Sequence, residues 1–143
     1  AWSGNPNFYL DEYRSILFKN FKSILDIKSV NFFKLSQSAN DKEFLDNSSK
    51  PNLEDLGDKS IFEISQIMKE LDLVVSSDTS IIHLAGILNI KSILLLNYNS
   101  EWRWFEDKKK TIWYPSIDII KQEKFNSWDN VFIELKKRIE ELI

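Results

Sequence analysis

Ser76, Ser77, Asp78 and Thr79 stand between the apolar run Leu71-Asp72-Leu73-Val74-Val75 and an apolar stretch that opens with Ser80-Ile81-Ile82. Side-chain oxygens of these types accept from the free N–H groups of a helix's first turn. Open α/β sheets bind their ligands where a strand's carboxyl end runs into a helix amino end, and exposed N–H groups there suit phosphate. Asp78, Thr79 and Ser80 are therefore a candidate phosphate-holding turn, although a plain helix cap accounts equally well for the residue types. His83, the only histidine, follows Thr79 by four residues and so lies one turn into the same helix, near the mouth of that site. It reads as a supporting or phosphate-facing group, or as a satisfied structural one, and not as a base. A metal ligand is not expected, because no second histidine and no cysteine exist to join it.

Ser3, Gly4 and Asn5, followed by Pro6, form a second loop of small residues. Gly-Asn-Pro is turn chemistry; the functional alternative is a companion phosphate loop, facing Asp78 across the carboxyl edge of a sheet. Trp102, Arg103, Trp104, Trp113 and Tyr114 make the stretch 97–115 unusually aromatic for a connection. Aromatic packing that closes the end of the domain is one reading. Stacking on a sugar or base, or docking another half-protein, is the other.

These candidates need a scaffold, and the hydrophobic pattern supplies one. Leu10, Tyr13, Leu17, Phe21 and Ile24 recur at helical spacing, which predicts a helix over 10–26 with one buried face. Residues 30–35 read as a strand, and the polar, aperiodic stretch 36–59 as an irregular connection. Ser60-Ile61-Phe62-Glu63 matches a capping box and opens a helix whose Ile61, Ile64, Ile67 or Met68 and Leu71 face inward. A strand over 73–75, a helix over 79–88 and a strand over 92–96 follow, with Asn89 as a left-handed helix stop. The chain closes with an edge strand over 117–120 and a helix over 127–142, whose Trp128, Val131, Leu135, Ile139 and Leu142 point inward. Such alternation implies crossover connections and a mostly parallel sheet with helices on both faces. The expected fold is a Rossmann-like three-layer α/β domain spanning 1–143 as a single unit, with a truncated strand at its amino end.

Composition narrows the function. At 43% hydrophobic and 29% charged residues the chain is an ordinary globular one, and 143 residues suffice for one domain. A net charge of −3 argues against nucleic acid as a partner, which would call for a basic stripe. Lys108-Lys109-Lys110 is too short to change that. No apolar run reaches the length of a transmembrane segment. The absence of cysteine rules out disulfides and is compatible with a cytoplasmic location. With only three glycines, the glycine-rich dinucleotide and P-loop signatures are absent.

Asp78-Thr79-Ser80-Ile81-Ile82-His83-Leu84-Ala85-Gly86 resembles the Asp-Thr-(Ser/Gly)-x-x-His-Leu-Ala-Gly signature of the heptosyltransferase-like glycosyltransferases of family 9, which have the GT-B fold. The likeness is closest to the branch often fused to tetratricopeptide repeats. It extends to Trp2-Ser3-Gly4-Asn5-Pro6 with Arg14 downstream, to Asp55-Leu56-Gly57-Asp58, and to Trp102-Arg103-Trp104, Trp113-Tyr114-Pro115 and Ser127-Trp128. Leu35-Ser36-Gln37 departs from the family's more usual Leu-Gln.

The resemblance implies one half of a two-domain enzyme, the carboxyl-terminal half that binds a nucleotide-diphosphate sugar, within a longer protein. Its partner would be the amino-terminal half, which would supply the base that activates a glycan or lipid-linked acceptor, so the fragment alone is expected to be inactive. The implied donor site comprises Ser3, Gly4, Asn5, Arg14, Asp78, Thr79, Ser80 and His83. Asp78 would lie near the sugar, and Arg14 would be the cation for the departing diphosphate. Helix ends, hydroxyls and a guanidinium can stabilise that charge without a metal or other cofactor. The alternatives are a non-catalytic GT-B-like nucleotide-binding or interaction module, and a sugar-nucleotide epimerase half.

Overall fold

Ser92-Ile-Leu-Leu-Leu96 is buried along its whole length and forms β4, the middle strand of a three-stranded parallel sheet. Such a run suits a strand covered on both faces. The computed structural model of the chain describes residues 1–9, 11–35, 51–104 and 110–143. The sequence expectations for Leu10, for 36–50 (Ser36 and Gln37 included) and for Lys108 and Lys109 lie outside the described residues. In chain order the helices are α1 (Asp11–Arg14), α2 (Lys22–Leu25), α3 (Ile61–Met68), α4 (Ser80–Ile87) and α5 (Asp129–Glu140). The strands are β1 (Phe32–Lys34), β2 (Leu53–Asp55), β3 (Val74–Ser77), β4 (Ser92–Leu96) and β5 (Ile117–Lys121).

β4 pairs in parallel with β3 on one side, Val74 opposite Ser92, and with β5 on the other, Ser92 opposite Ile117. β1 pairs in parallel with β2 as a separate two-stranded unit. Side-chain alternation along β4 divides the core. Ile93 and Leu95 pack with Phe21, Ile24, Phe132 and Leu135 beneath α2 and α5, whereas Leu94 and Leu96 pack with Ile82 and Trp104 on the opposite face. Helices thus cover both faces of a parallel sheet, the expected α/β arrangement. No helix among the described residues is long and apolar enough to cross a membrane.

The helix predicted over 10–26 is broken. After α1, the Ile16 N–H donates to the Trp2 carbonyl at 2.7 Å, a bond that no continuous helix permits. Leu17 is extended, and the chain resumes as a 3-10 turn (Phe18–Phe21) followed by α2. The buried set shifts accordingly: Ile16, Phe18 and Leu25 join Phe21 and Ile24 inside, while Tyr13 and Leu17 face solvent. β2 lies in the stretch expected to be irregular, since pairing with β1 imposes the strand on Leu53-Glu54-Asp55. Ile61 and Leu142 are exposed, and Phe132 takes a core position in α5. The Ser60–Glu63 capping box and the left-handed Asn89 (φ 55°) are as predicted.

Candidate functional site

Ala1 is stitched to the edge of β3. Its amino group donates to the Val75 carbonyl at 2.8 Å, and its carbonyl accepts from the Ser77 N–H at 3.1 Å. This is the bond pattern of a parallel neighbour. The chain therefore leaves the sheet through Ser3–Gly4–Asn5 at the same carboxyl edge where β3 runs through Asp78 and Thr79 into α4. The two small-residue segments, 75 positions apart, share one edge.

The first loop is tightly tied. The Asn5 side chain accepts from the Asn7 N–H at 2.9 Å, an Asx turn. The Gly4 N–H donates to Ser15 Oγ at 3.2 Å, and Ser15 Oγ donates to Asp11 Oδ2 at 2.8 Å. A Cβ on Gly4 would sit 2.5 Å from Arg14 Nη2 and 2.7 Å from Asp11 Oδ1, so only glycine lets the loop cross this ion pair. Arg14 itself donates to Asp11 Oδ1 at 2.9 Å, with its guanidinium 4.4 Å from the Phe8 ring centroid. Ser3 Oγ is buried without a hydrogen-bond partner among the described residues.

The second segment is buried rather than displayed. Ser76 and Ser77 are inaccessible, and Asp78 is only 5% exposed. Ser76 Oγ donates to the Ser77 carbonyl at 2.8 Å and lies 3.0 Å from Thr79 Oγ1. Thr79 has the extended backbone of an N-cap, yet its side chain makes no capping bond. Simple helix capping therefore does not account for the Asp78-Thr79 pair, and no N-cap side chain occupies the first-turn N–H groups of α4. Ser77 Oγ is a second buried hydroxyl without a partner among the described residues.

Asp78 is the centre of a charged cluster. Arg103 Nη2 stands 3.4 Å from its Oδ2 and His83 Nε2 3.7 Å from its Oδ1. The Trp104 indole N–H is nearby without reaching hydrogen-bond geometry. Burial pushes the Asp78 carboxyl up, but His83, Trp104 and Arg103 outweigh it and hold the group below the usual carboxylate range. Asp78 is thus an anion at neutral pH inside a mostly desolvated turn.

His83 is positioned from three sides. Its ring stacks on Trp104 at 5.1 Å between centroids, and Nδ1 lies 3.2 Å from the Tyr114 hydroxyl. Tyr114 can lie across α4 because residue 86 is glycine: a Cβ there would come within 2.4 Å of Tyr114 Cγ. Arg103 also pairs with Glu101 at 2.9 Å, and the Trp113 indole donates to its carbonyl at 3.0 Å.

Of the eight residues singled out in the sequence, Ser3, Gly4, Asn5, Asp78, Thr79 and Ser80 share the carboxyl edge, and His83 is one helical turn in. Arg14 borders the first loop but is already paired with Asp11. Arg103, Glu101 and Tyr114 are site residues that sequence reasoning did not assign there. The signal was an arginine between two tryptophans, which had been read as part of an aromatic loop. That loop is divided, with Trp104 fully buried against Ile82, Leu94 and Leu96 while Trp102 and Trp113 are largely exposed. No group of three or more potential metal-ligating side chains occurs among the described residues. Compared with protein-family models, curated proteins and solved structures, the chain matches none.

Proposed function

We propose that this chain is the donor-gripping half of an inverting, GT-B-type glycosyltransferase, holding the diphosphate of a nucleotide sugar at the carboxyl edge of its sheet. The observation that carries this reading is the Ala1–β3 pairing. It sets the Ser3–Asn5 loop beside an α4 amino end whose cap residue leaves the first-turn N–H groups open. In this reading those N–H groups and the hydroxyls of Ser3, Ser77 and Ser80 receive phosphate oxygens. Asp78, ionised and buried, accepts from sugar hydroxyls, and His83 keeps it oriented. Arg103 turns from Glu101 toward the charge that grows on the departing diphosphate, with Arg14 as the second cation. The acceptor-activating base belongs to an amino-terminal half, so this chain alone transfers no sugar. A cytoplasmic location and tetratricopeptide repeats in the parent protein go with this reading.

Calorimetric titration with UDP, GDP and ADP, with and without EDTA, tests it. Each charge-assisted hydrogen bond in a half-open cleft contributes at most about 1.5–3 kcal/mol, so binding should be weak, insensitive to EDTA and reduced in Arg103→Ala. A second reading, a non-catalytic packing module, is favoured by one fact: both arginines already face carboxylates. Absence of heat with all three nucleotides would support that module instead.

A further inference from the structure

An apolar cavity of about 710 Å³ lies between the two parallel sheet units, walled by Phe33 of β1 and by Leu73 and Val75 at β3, and floored by Trp2, Phe21 and Leu135. Both walls are strand edges. The Phe32 N–H and the Lys34 carbonyl bond toward β2, through Asn52 and Leu56, so the backbone of Phe33 between them faces the cavity. On the other wall, the Val74 N–H bonds toward β4 through the Lys91 carbonyl, so Val75 faces away from β4. Ala1 takes the Val75 carbonyl, while the Val75 N–H and the Leu73 carbonyl remain along the cavity. Ala1 therefore sits on the last rung of a hydrogen-bonding lane whose earlier rungs run down the cavity.

The geometry points to a strand-acceptor groove: we propose that it takes one extended apolar segment, joined to Ala1 through a peptide bond and parallel to β1 and β3. The order would become β2-β1-insert-β3-β4-β5, a single sheet. Three features favour this occupant over a small ligand. The lane ends at the Ala1 nitrogen, the walls offer backbone donors and acceptors at strand spacing, and the lining is mostly apolar. About five residues at about 3.3 Å each would match the length of β4. Burial also lowers the Ala1 ammonium to about 5, whereas a peptide N–H would make the same bond to Val75 with no charge to desolvate. This inference does not depend on nucleotide binding.

The test compares three chains: one extended ahead of Ala1 by Val-Thr-Ile-Val-Ile, one by Gly-Ser-Gly-Ser-Gly, and the apolar form with proline at the second position before Ala1. That second residue would donate to the Leu73 carbonyl, a bond proline cannot make. The apolar extension should raise Tm by about 10 °C over the Gly-Ser form. It should also slow exchange of the Phe33 and Val75 amides by about tenfold or more, displace the apolar dye ANS from the cavity, and lose these effects with proline. If the Gly-Ser chain shows no cooperative transition, recovery of one in the apolar chain carries the same meaning. Equal Tm in the two extended chains, stabilisation without amide protection, or tighter ANS binding in the apolar chain would overturn the proposal.

Discussion

Gly86→Ala isolates the contact on which the position of His83 depends. Two effects oppose each other. Alanine inside a helix is better than glycine by about 0.8–1 kcal/mol. Against that, the new Cβ would lie 2.4 Å from Tyr114 Cγ, 2.5 Å from Cδ1 and 2.9 Å from Cβ. The last of these is bonded to the backbone, so rotating the ring does not relieve the overlap, and helix or loop must move. Overpacking of this kind costs about 1–3 kcal/mol. The upper part of that range applies here, and the net loss should be about 1–2 kcal/mol. In a Tyr114→Ala background the overlap disappears and only the helix gain remains, so the same substitution should become neutral or stabilising. Urea unfolding of the four chains of this cycle reads the coupling directly, which should reach about 2 kcal/mol. Equal effects of Gly86→Ala in both backgrounds would refute the contact.

Other consequences concern charge. A base whose pKa falls on folding binds its proton more tightly in the unfolded chain, so a chain with a free Ala1 amine should gain stability as pH rises from about 5 to about 8. Three units at about 1.36 kcal/mol each set the ceiling at about 4 kcal/mol; amino-terminal acetylation should flatten the slope in urea titrations across that range. For Asp78 the sign is opposite. Its lowered pKa adds stability at neutral pH that is lost as pH falls through and below the ordinary carboxylate range, and Asp78→Asn should lack that acid dependence in the same titrations.

The strands with buried, β-branched or leucine-rich runs were legible because both faces of each are covered, and their pattern has no competing period. The helix over 10–26 was not, because its apolar spacing is real but the Ile16–Trp2 backbone bond overrides it. β2 carries no strand signal of its own and exists through its partner. At the site, Asp78 and His83 were visible because cap chemistry and helical spacing are local. Arg103 was not, since it meets Asp78 only after the chain returns across α4, 25 residues later. The neutralisation of Arg14 did have a local mark: Asp11 stands three residues before it, on the same helical face.

The central claim, a diphosphate held at the carboxyl edge of the sheet, is met most directly by mapping backbone amide NMR shifts while UDP is added to the chain. The account predicts that the amides of residues 3–5 and 78–82 move together along one saturating curve, with the Arg103 side chain following and EDTA without effect. Shifts confined to the cavity between β1 and β3, or no saturable shift at the carboxyl edge, would contradict it.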